Sequence, residues 1–159
     1  MSIAGQFECD VAIVGASISG CAAAALFARR GLRVVLIEQR RDSAAYKRMC
    51  THYILPCARP TLQRLGLDAR IEHKGGVRNS LAIWTRWGLI PAVDVAKKNF
   101  GYNVRRVTLD PLLRSLATET PGVEYWPGFA RRDFAGGRGA WLVWKQRPLK
   151  ASGVWFPRG

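Results

Sequence analysis

Acidic side chains are scarce in this sequence: 11 Asp and Glu stand against 25 Lys and Arg in 159 residues, for a formal net charge of +14. So basic a balance first suggests a nucleic-acid surface, but its distribution argues against one. Residues 1–129 carry +8 spread along the chain, and residues 130–159 carry +6 in under a fifth of its length. Arginine on solvated faces, with some side chains turned to phosphate, accounts for the first part better than a groove-binding face does. Long apolar runs are missing as well. No stretch of about 18 apolar residues escapes interruption by Gly or a polar side chain, so a membrane-spanning helix is not expected. The opening MSIAGQFECD lacks the basic start of a secretory signal, which makes the cytoplasm the expected compartment. The cysteines Cys9, Cys21, Cys50 and Cys57 form no C-x-x-C pair. Cys50, His52 and Cys57 lack a fourth ligand and zinc-like spacing, so no metal centre is expected.

What the chain does contain is concentrated between Cys9 and Glu38. Asp10–Val14 is an apolar, partly β-branched run of strand length that stops at Gly15. Gly15-Ala16-Ser17-Ile18-Ser19-Gly20 then has the spacing G-x-G-x-x-G, with Ser17 at the second glycine position. In this motif the first Gly permits the turn, the second admits a pyrophosphate to the backbone, and the third lets the helix lie close on the strand. Gly15 and Gly20 meet the first and third requirements, and the Ser17 hydroxyl stands where phosphate comes closest. The Ala-rich segment from Cys21 to Ala28 reads as a helix packed tightly on a sheet, closed by Arg29, Arg30 and Gly31. Its unpaired N-terminal amides suit an anion. Arg33–Ile37 reads as a second strand, with Glu38 at its end, about 20 residues past the glycines, where an acidic side chain accepts from a ribose. The candidate dinucleotide contacts are therefore Gly15, Ala16, Ser17, Ser19, Gly20 and Glu38, with Gln39 beside them. The motif alone leaves FAD and NAD both open, while Glu38 argues against a 2′-phosphate.

Residues 39–48 are polar and basic and read as a loop, from which Arg40, Arg41 or Arg48 can reach a bound cofactor. Pro56 and Pro60 suit a helix start, and Thr61–Gly66 a short helix stopped by Gly, with Leu62, Leu65 and Leu67 buried. Alternation over Leu81–Trp87, then Gly88 and Leu89–Val93, predicts an antiparallel excursion in which Trp84 and Trp87 serve as packing, with the lining of a substrate surface as the alternative. Leu109, Leu112, Leu113, Leu116 and Ala117 recur at helical spacing, which predicts an amphipathic helix capped by Thr108 or Asp110 and ended by Thr120-Pro121-Gly122. Val123–Trp126 follows as a short strand.

The βαβ unit with Glu38, the excursion, the R-x-x-L-D-x-L-L segment from Arg106 to Leu113 and the G-V-E strand at Gly122–Glu124 together resemble the N-terminal part of FAD-dependent monooxygenases of the para-hydroxybenzoate hydroxylase fold. Geranylgeranyl-reductase-like and halogenase-like flavoenzymes share that fold. The resemblance implies an α/β, Rossmann-like FAD/NAD(P)-binding domain with a small antiparallel excursion, FAD as cofactor, and NAD(P)H as reductant in the intact family. It also implies that Arg106 contacts the flavin cofactor and Glu38 the adenosine ribose. No catalytic acid or base matches a family motif. The resemblance covers residues 8–129. Residues 130–159 carry three Trp, one acidic residue and no sustained period, and read as an irregular basic tail, as a shifted reading frame would produce. The expected function is an FAD-dependent oxidoreductase of monooxygenase type, present as its FAD-binding portion and inactive alone. The alternative is a stand-alone NAD- or FAD-binding module without catalysis.

Overall fold

A computed structural model describes the backbone of residues 7–91, 100–128, 134–135, 140–143 and 148–155, and the side chains of residues 9–91 and 100–128. Contacts divide the chain into two units, one made of residues 1–45 and 110–159 and the other of residues 46–109. This division differs from the one expected at residue 129, because the chain leaves the first unit after its second strand and returns to it within a helix.

The first unit is built on a six-stranded sheet in the order β8-β2-β1-β11-β10-β9. Strand β1 (Phe7–Val14) runs into helix α1 (Ile18–Ala28), which returns to β2 (Val34–Glu38). The strands β1 and β2 pair in parallel, with Val11 opposite Val34 and Val14 opposite Ile37. On the far side of β2 lies β8 (Val123–Pro127), also parallel, with Leu36 opposite Tyr125. All five residues of β2 are buried, as expected of a central parallel strand covered on both faces. Asp10 fastens the start of this unit: its carboxylate accepts from the Arg33 backbone N–H at 2.7 Å and faces the Arg33 guanidinium at 3.4 Å. Those contacts, the backbone donor first, hold the Asp10 carboxyl below its usual range.

Helix α1 packs on this sheet through its small residues. Ala24, Ala25 and Ala28 are buried with Cys21, and a Cβ added to Gly20 would lie 1.9 Å from the Gly15 carbonyl oxygen. Only glycine permits that approach of helix to turn.

The expected irregular tail is corrected by the structure, which has three strands in that span: β9 (Phe134–Ala135), β10 (Ala140–Val143) and β11 (Pro148–Trp155). Strand β11 pairs in parallel with β1, Phe7 opposite Leu149 and Ile13 opposite Trp155, and β10 turns back antiparallel to β11. Strand pairing is made by backbone groups, and β1 offers a second row of them beyond β2. A segment without alternating side chains can answer that row, which is why periodicity missed it.

Helix α4 (Arg106–Glu119) begins earlier than Thr108 or Asp110 and contains Pro111 within it. The expected caps are therefore wrong. Leu109, Leu113, Leu116 and Ala117 are buried as its spacing predicts, and the Thr120 hydroxyl donates to the Leu116 carbonyl at 2.7 Å where the helix ends.

The second unit holds a sheet in the order β3-β7-β4, from Tyr53–Ile54, Gly101–Asn103 and Val77–Asn79, all antiparallel. A 3₁₀ turn at Pro56–Ala58 leads into α2 (Arg59–Leu65), and α3 (Asp68–His73) follows. Gly66 ends α2 in the left-handed region, and Leu62, Leu65 and Leu67 are buried as expected. With Ile71, Phe100, Tyr102 and Val104 they form the core of this unit. The Arg59 guanidinium lies 3.9 Å from the centre of the Phe100 ring.

The excursion is present as a two-stranded hairpin, β5 (Ile83–Thr85) and β6 (Gly88–Ile90). Residues 92 and 93 of the expected second strand lie outside the described residues. Trp84 and Trp87 are 79% and 81% exposed, so their expected packing role is corrected: among the described residues no layer covers this short hairpin.

Gly20→Ala tests the close approach of α1 to the turn. The added methyl group forces the helix off the strand, and a loss of about 1–3 kcal/mol in unfolding free energy is expected by urea titration.

Candidate dinucleotide-binding site

The turn between β1 and α1 is positioned by its neighbours before any ligand is considered. Gly15 sits at φ +105°, a conformation L side chains rarely adopt, and its N–H donates to the Ile37 carbonyl at 2.7 Å. That bond ties the turn to the end of β2. Glu38, the next residue of β2, is 9% exposed, and its carboxylate accepts from the Ala16 N–H at 2.8 Å and from the Arg40 N–H at 3.0 Å. The glycine motif and the acidic residue, 22 positions apart, therefore meet directly.

Ser17 is the N-cap of α1, but its side chain makes no capping hydrogen bond. The first helical bond runs from the Cys21 N–H to the Ser17 carbonyl at 2.9 Å. The amides of Ile18, Ser19 and Gly20 thus precede the helical ladder, no acidic side chain stands in the first turn, and both Ser17 and Ser19 are exposed. Such an end attracts an anion. Gln39 is exposed beside Glu38. The predicted residues Gly15, Ala16, Ser17, Ser19, Gly20, Glu38 and Gln39 are accordingly brought together at one end of the first unit.

Arg114, which the sequence did not single out, braces the same turn. It is 6% exposed; its guanidinium donates to the Ser43 carbonyl, to the Ala45 carbonyl at 2.9 Å and, at 3.5 Å, to the Ala16 carbonyl. One side chain of α4 therefore holds both the loop after β2 and the glycine turn. Its Nε, and the buried Tyr125 hydroxyl on β8, have no hydrogen-bond partner among the described residues. Burial raises the Tyr125 pKa, with the Arg114 charge opposing. Burial also pushes Cys21 up to about 12 and Cys9 up to about 11, which makes both thiols inert core groups.

Arg48 and Arg106 belong to the second unit. Arg48 is exposed in the loop. Arg106 is 8% exposed; its N–H donates to His52 Nδ1 at 3.3 Å, and its guanidinium approaches Cys50 Sγ at 3.8 Å. The His52 N–H also donates to Cys50 Sγ, at 3.4 Å. These donors, His52 first, hold the exposed Cys50 thiol below its ordinary range. Among the described residues no group of three His, Cys, Asp or Glu is placed to hold a metal ion.

The glycine turn, the uncapped N-terminus of α1 and the Glu38 carboxylate, bonded to the Ala16 N–H, thus lie together. The family model described as FAD binding domain matches residues 8–126. The chain belongs to this family. Its FAD-binding domain is 31% identical over 125 residues to the probable electron transfer flavoprotein-quinone oxidoreductase YgcN of Escherichia coli, covering 76% of this chain and 28% of that protein. It is 37% identical over 120 residues to the menaquinone reductase of Mycolicibacterium smegmatis, covering 69% of this chain and 27% of that protein. The chain thus spans under a third of the curated relatives it matches. Among solved structures, PqsL of Pseudomonas aeruginosa, a probable FAD-dependent monooxygenase, matches with a TM-score of 0.73 at 21% identity, over 93% of this chain and 42% of that one. A geranylgeranyl bacteriochlorophyll reductase-like protein of Thermoplasma acidophilum matches with a TM-score of 0.69 at 19% identity, over 98% of this chain and 40% of that one. At these identities the structural matches establish the fold. No helix among the described residues is long and apolar enough to cross a membrane.

Two outcomes test this site's framework. Arg114→Met removes the charged donors of three carbonyls and is expected to cost about 1.5–3 kcal/mol in urea unfolding, with faster tryptic cleavage between Arg40 and Arg48 where the loop loses its brace. In timed alkylation at pH 7, read by peptide mass spectrometry, Cys50 is expected to react before Cys57, and Cys9 and Cys21 only after unfolding.

Proposed function

We propose that this chain is the FAD-binding portion of an FAD-dependent oxidoreductase, in which the Gly15–Gly20 turn takes the pyrophosphate and Glu38 the adenosine ribose. The observation that carries the reading is the bond from the Ala16 N–H to the Glu38 carboxylate. It sets the acidic oxygens beside the glycine turn, and in an adenine dinucleotide the ribose follows directly on the pyrophosphate. Each carboxylate oxygen can accept more than one hydrogen bond, so the backbone contacts of Glu38 do not exhaust it. The Ser17 hydroxyl, unused as a cap, is available to donate to a phosphate oxygen. Gly20 keeps the helix end against the turn, and Arg114 keeps the turn against the loop, so these groups are oriented before a ligand arrives.

The flavin, when bound, supplies hydride and electron transfer, and the protein's part is to bind and orient it. Among the described residues of the second unit no side chain has a recognised acid or base role, and the chain spans under a third of the curated relatives it matches. We read the reaction of the whole enzyme as monooxygenation with NAD(P)H as reductant, in line with the fold shared with PqsL. A quinone-linked reductase is the second reading, favoured by the names of the two curated relatives. In either case the chain alone is expected to bind FAD without turnover.

Reconstitution tests the site. The chain mixed with FAD and freed of excess ligand is expected to retain visible flavin bands, and Gly15→Val to lose them, since a branched residue cannot take the turn. Glu38→Ala is expected to weaken FAD by roughly 1–3 kcal/mol in a fluorescence titration. Equal retention by wild type and Gly15→Val overturns the assignment, and NAD binding without FAD binding favours the stand-alone module.

A further inference from the structure

The second unit contains a cavity of about 510 Å³ that the dinucleotide site does not use. It is lined by Lys74, Arg78, Asn79, Asn103, Arg105 and Thr108, with Gly75, Val77 and Val104 between them. These residues include three cationic ones, two carboxamides and one hydroxyl, and among the described residues no acidic one lines it. Its size suits a small molecule.

The cations come from different elements: Lys74 follows α3, Arg78 lies on β4, and Arg105 precedes α4. Arg78 is held in place, because Glu72 accepts from its Nε at 2.8 Å and its Nη2 at 3.2 Å. Its guanidinium also lies 4.7 Å from the centre of the Phe100 ring. Glu72 is itself fixed, accepting from the buried Tyr102 hydroxyl at 2.8 Å. Of the five N–H groups of the guanidinium, those on Nη1 are left for another acceptor. A core residue thus orients Glu72, Glu72 orients Arg78, and the carboxylate of that chain of contacts stays out of the cavity lining.

We propose that this cavity binds a small phosphate-bearing anion. A tetrahedral phosphate offers oxygens in three directions, matching cations that arrive from three elements, whereas a carboxylate offers only two oxygens in one plane. Asn79, Asn103 and Thr108 add neutral donors for the remaining oxygens. The cavity is distinct from the proposed dinucleotide site, since neither the Gly15–Gly20 turn nor Glu38 is in its lining.

The test is a titration of the full-length 15N-labelled chain with inorganic phosphate and with inorganic pyrophosphate at constant ionic strength, followed by amide shifts. Saturable shifts are expected at Lys74–Asn79 and Asn103–Thr108, whatever happens at Gly15–Gly20, which reports the dinucleotide site. The Lys74→Gln, Arg105→Gln double variant is expected to weaken the saturable phase at least about tenfold; the single variants serve if the double variant loses its dispersed spectrum. Arg105→Lys is expected to retain binding better than Arg105→Gln. Shifts confined to Gly15–Gly20, shifts that rise linearly without saturating, or equal affinity in wild type and the Gln variants overturn the proposal.

Discussion

The contact of α1 with the turn beneath it is the constraint on which the first unit depends. Helix and strand approach so closely at Gly20 and Gly15 that a single methyl group has no space. That closeness brings the α1 N-terminus, the exposed seryl side chains and the end of β2 to one place. The Glu38 carboxylate then bridges to the Ala16 N–H, so strand, turn and helix share one short polar link across a buried position. An acidic side chain there satisfies backbone donors that would otherwise be buried without a partner.

Basic residues are used mainly as internal ties where their partners are described. Arg33 joins Asp10 across β1 and β2, Arg114 gathers three carbonyls, Arg59 covers the Phe100 ring, and Arg78 docks on Glu72. A guanidinium suits this work because it presents several donors in a fixed plane and also stacks on aromatic faces. Arg33, Arg59 and Arg78 also face carboxylates, of Asp10, Asp68 and Glu72, whereas the bonds of Arg114 all end on carbonyl oxygen, which needs no acid. In the cavity beside Arg78 cationic residues are gathered with no acid among the described residues of the lining.

The exposed hairpin and the strands beyond residue 130 show the same principle from opposite sides. Trp84 and Trp87 have the alternation of packed strand residues, yet alternation states only that two faces differ, not that a second layer exists. Strands β9, β10 and β11 lack any such pattern, yet pair, because the second edge of β1 requires backbone partners rather than particular side chains.

Local chemistry decided the βαβ unit from the sequence. A glycine turn between a β-branched run and an alanine-rich helix, followed by a strand ending in Glu38, has few alternative conformations, so the order of these elements was legible in the residues alone, although β1 starts at Phe7 and α1 at Ile18, ahead of the runs that marked them. The short helix stopped by Gly66 and the buried leucines of α4 were legible for the same reason: each depends on neighbours within a few positions. What sequence could not reveal were features made by residues far apart. Arg114 reaches the Ser43 and Ala45 carbonyls across about 70 positions, and on a helix its spacing looks like an ordinary solvated charge. The strands β3, β4 and β7 are two or three residues long, too short to display a period. The true start of α4 at Arg106 was hidden because Thr108, Asp110 and Pro111 resemble a helix beginning, whereas the helix extends to where the Arg106 N–H meets His52. Tertiary structure alone decides such points, because the hydrogen-bond partner that settles each one is supplied by a segment more than twenty residues away.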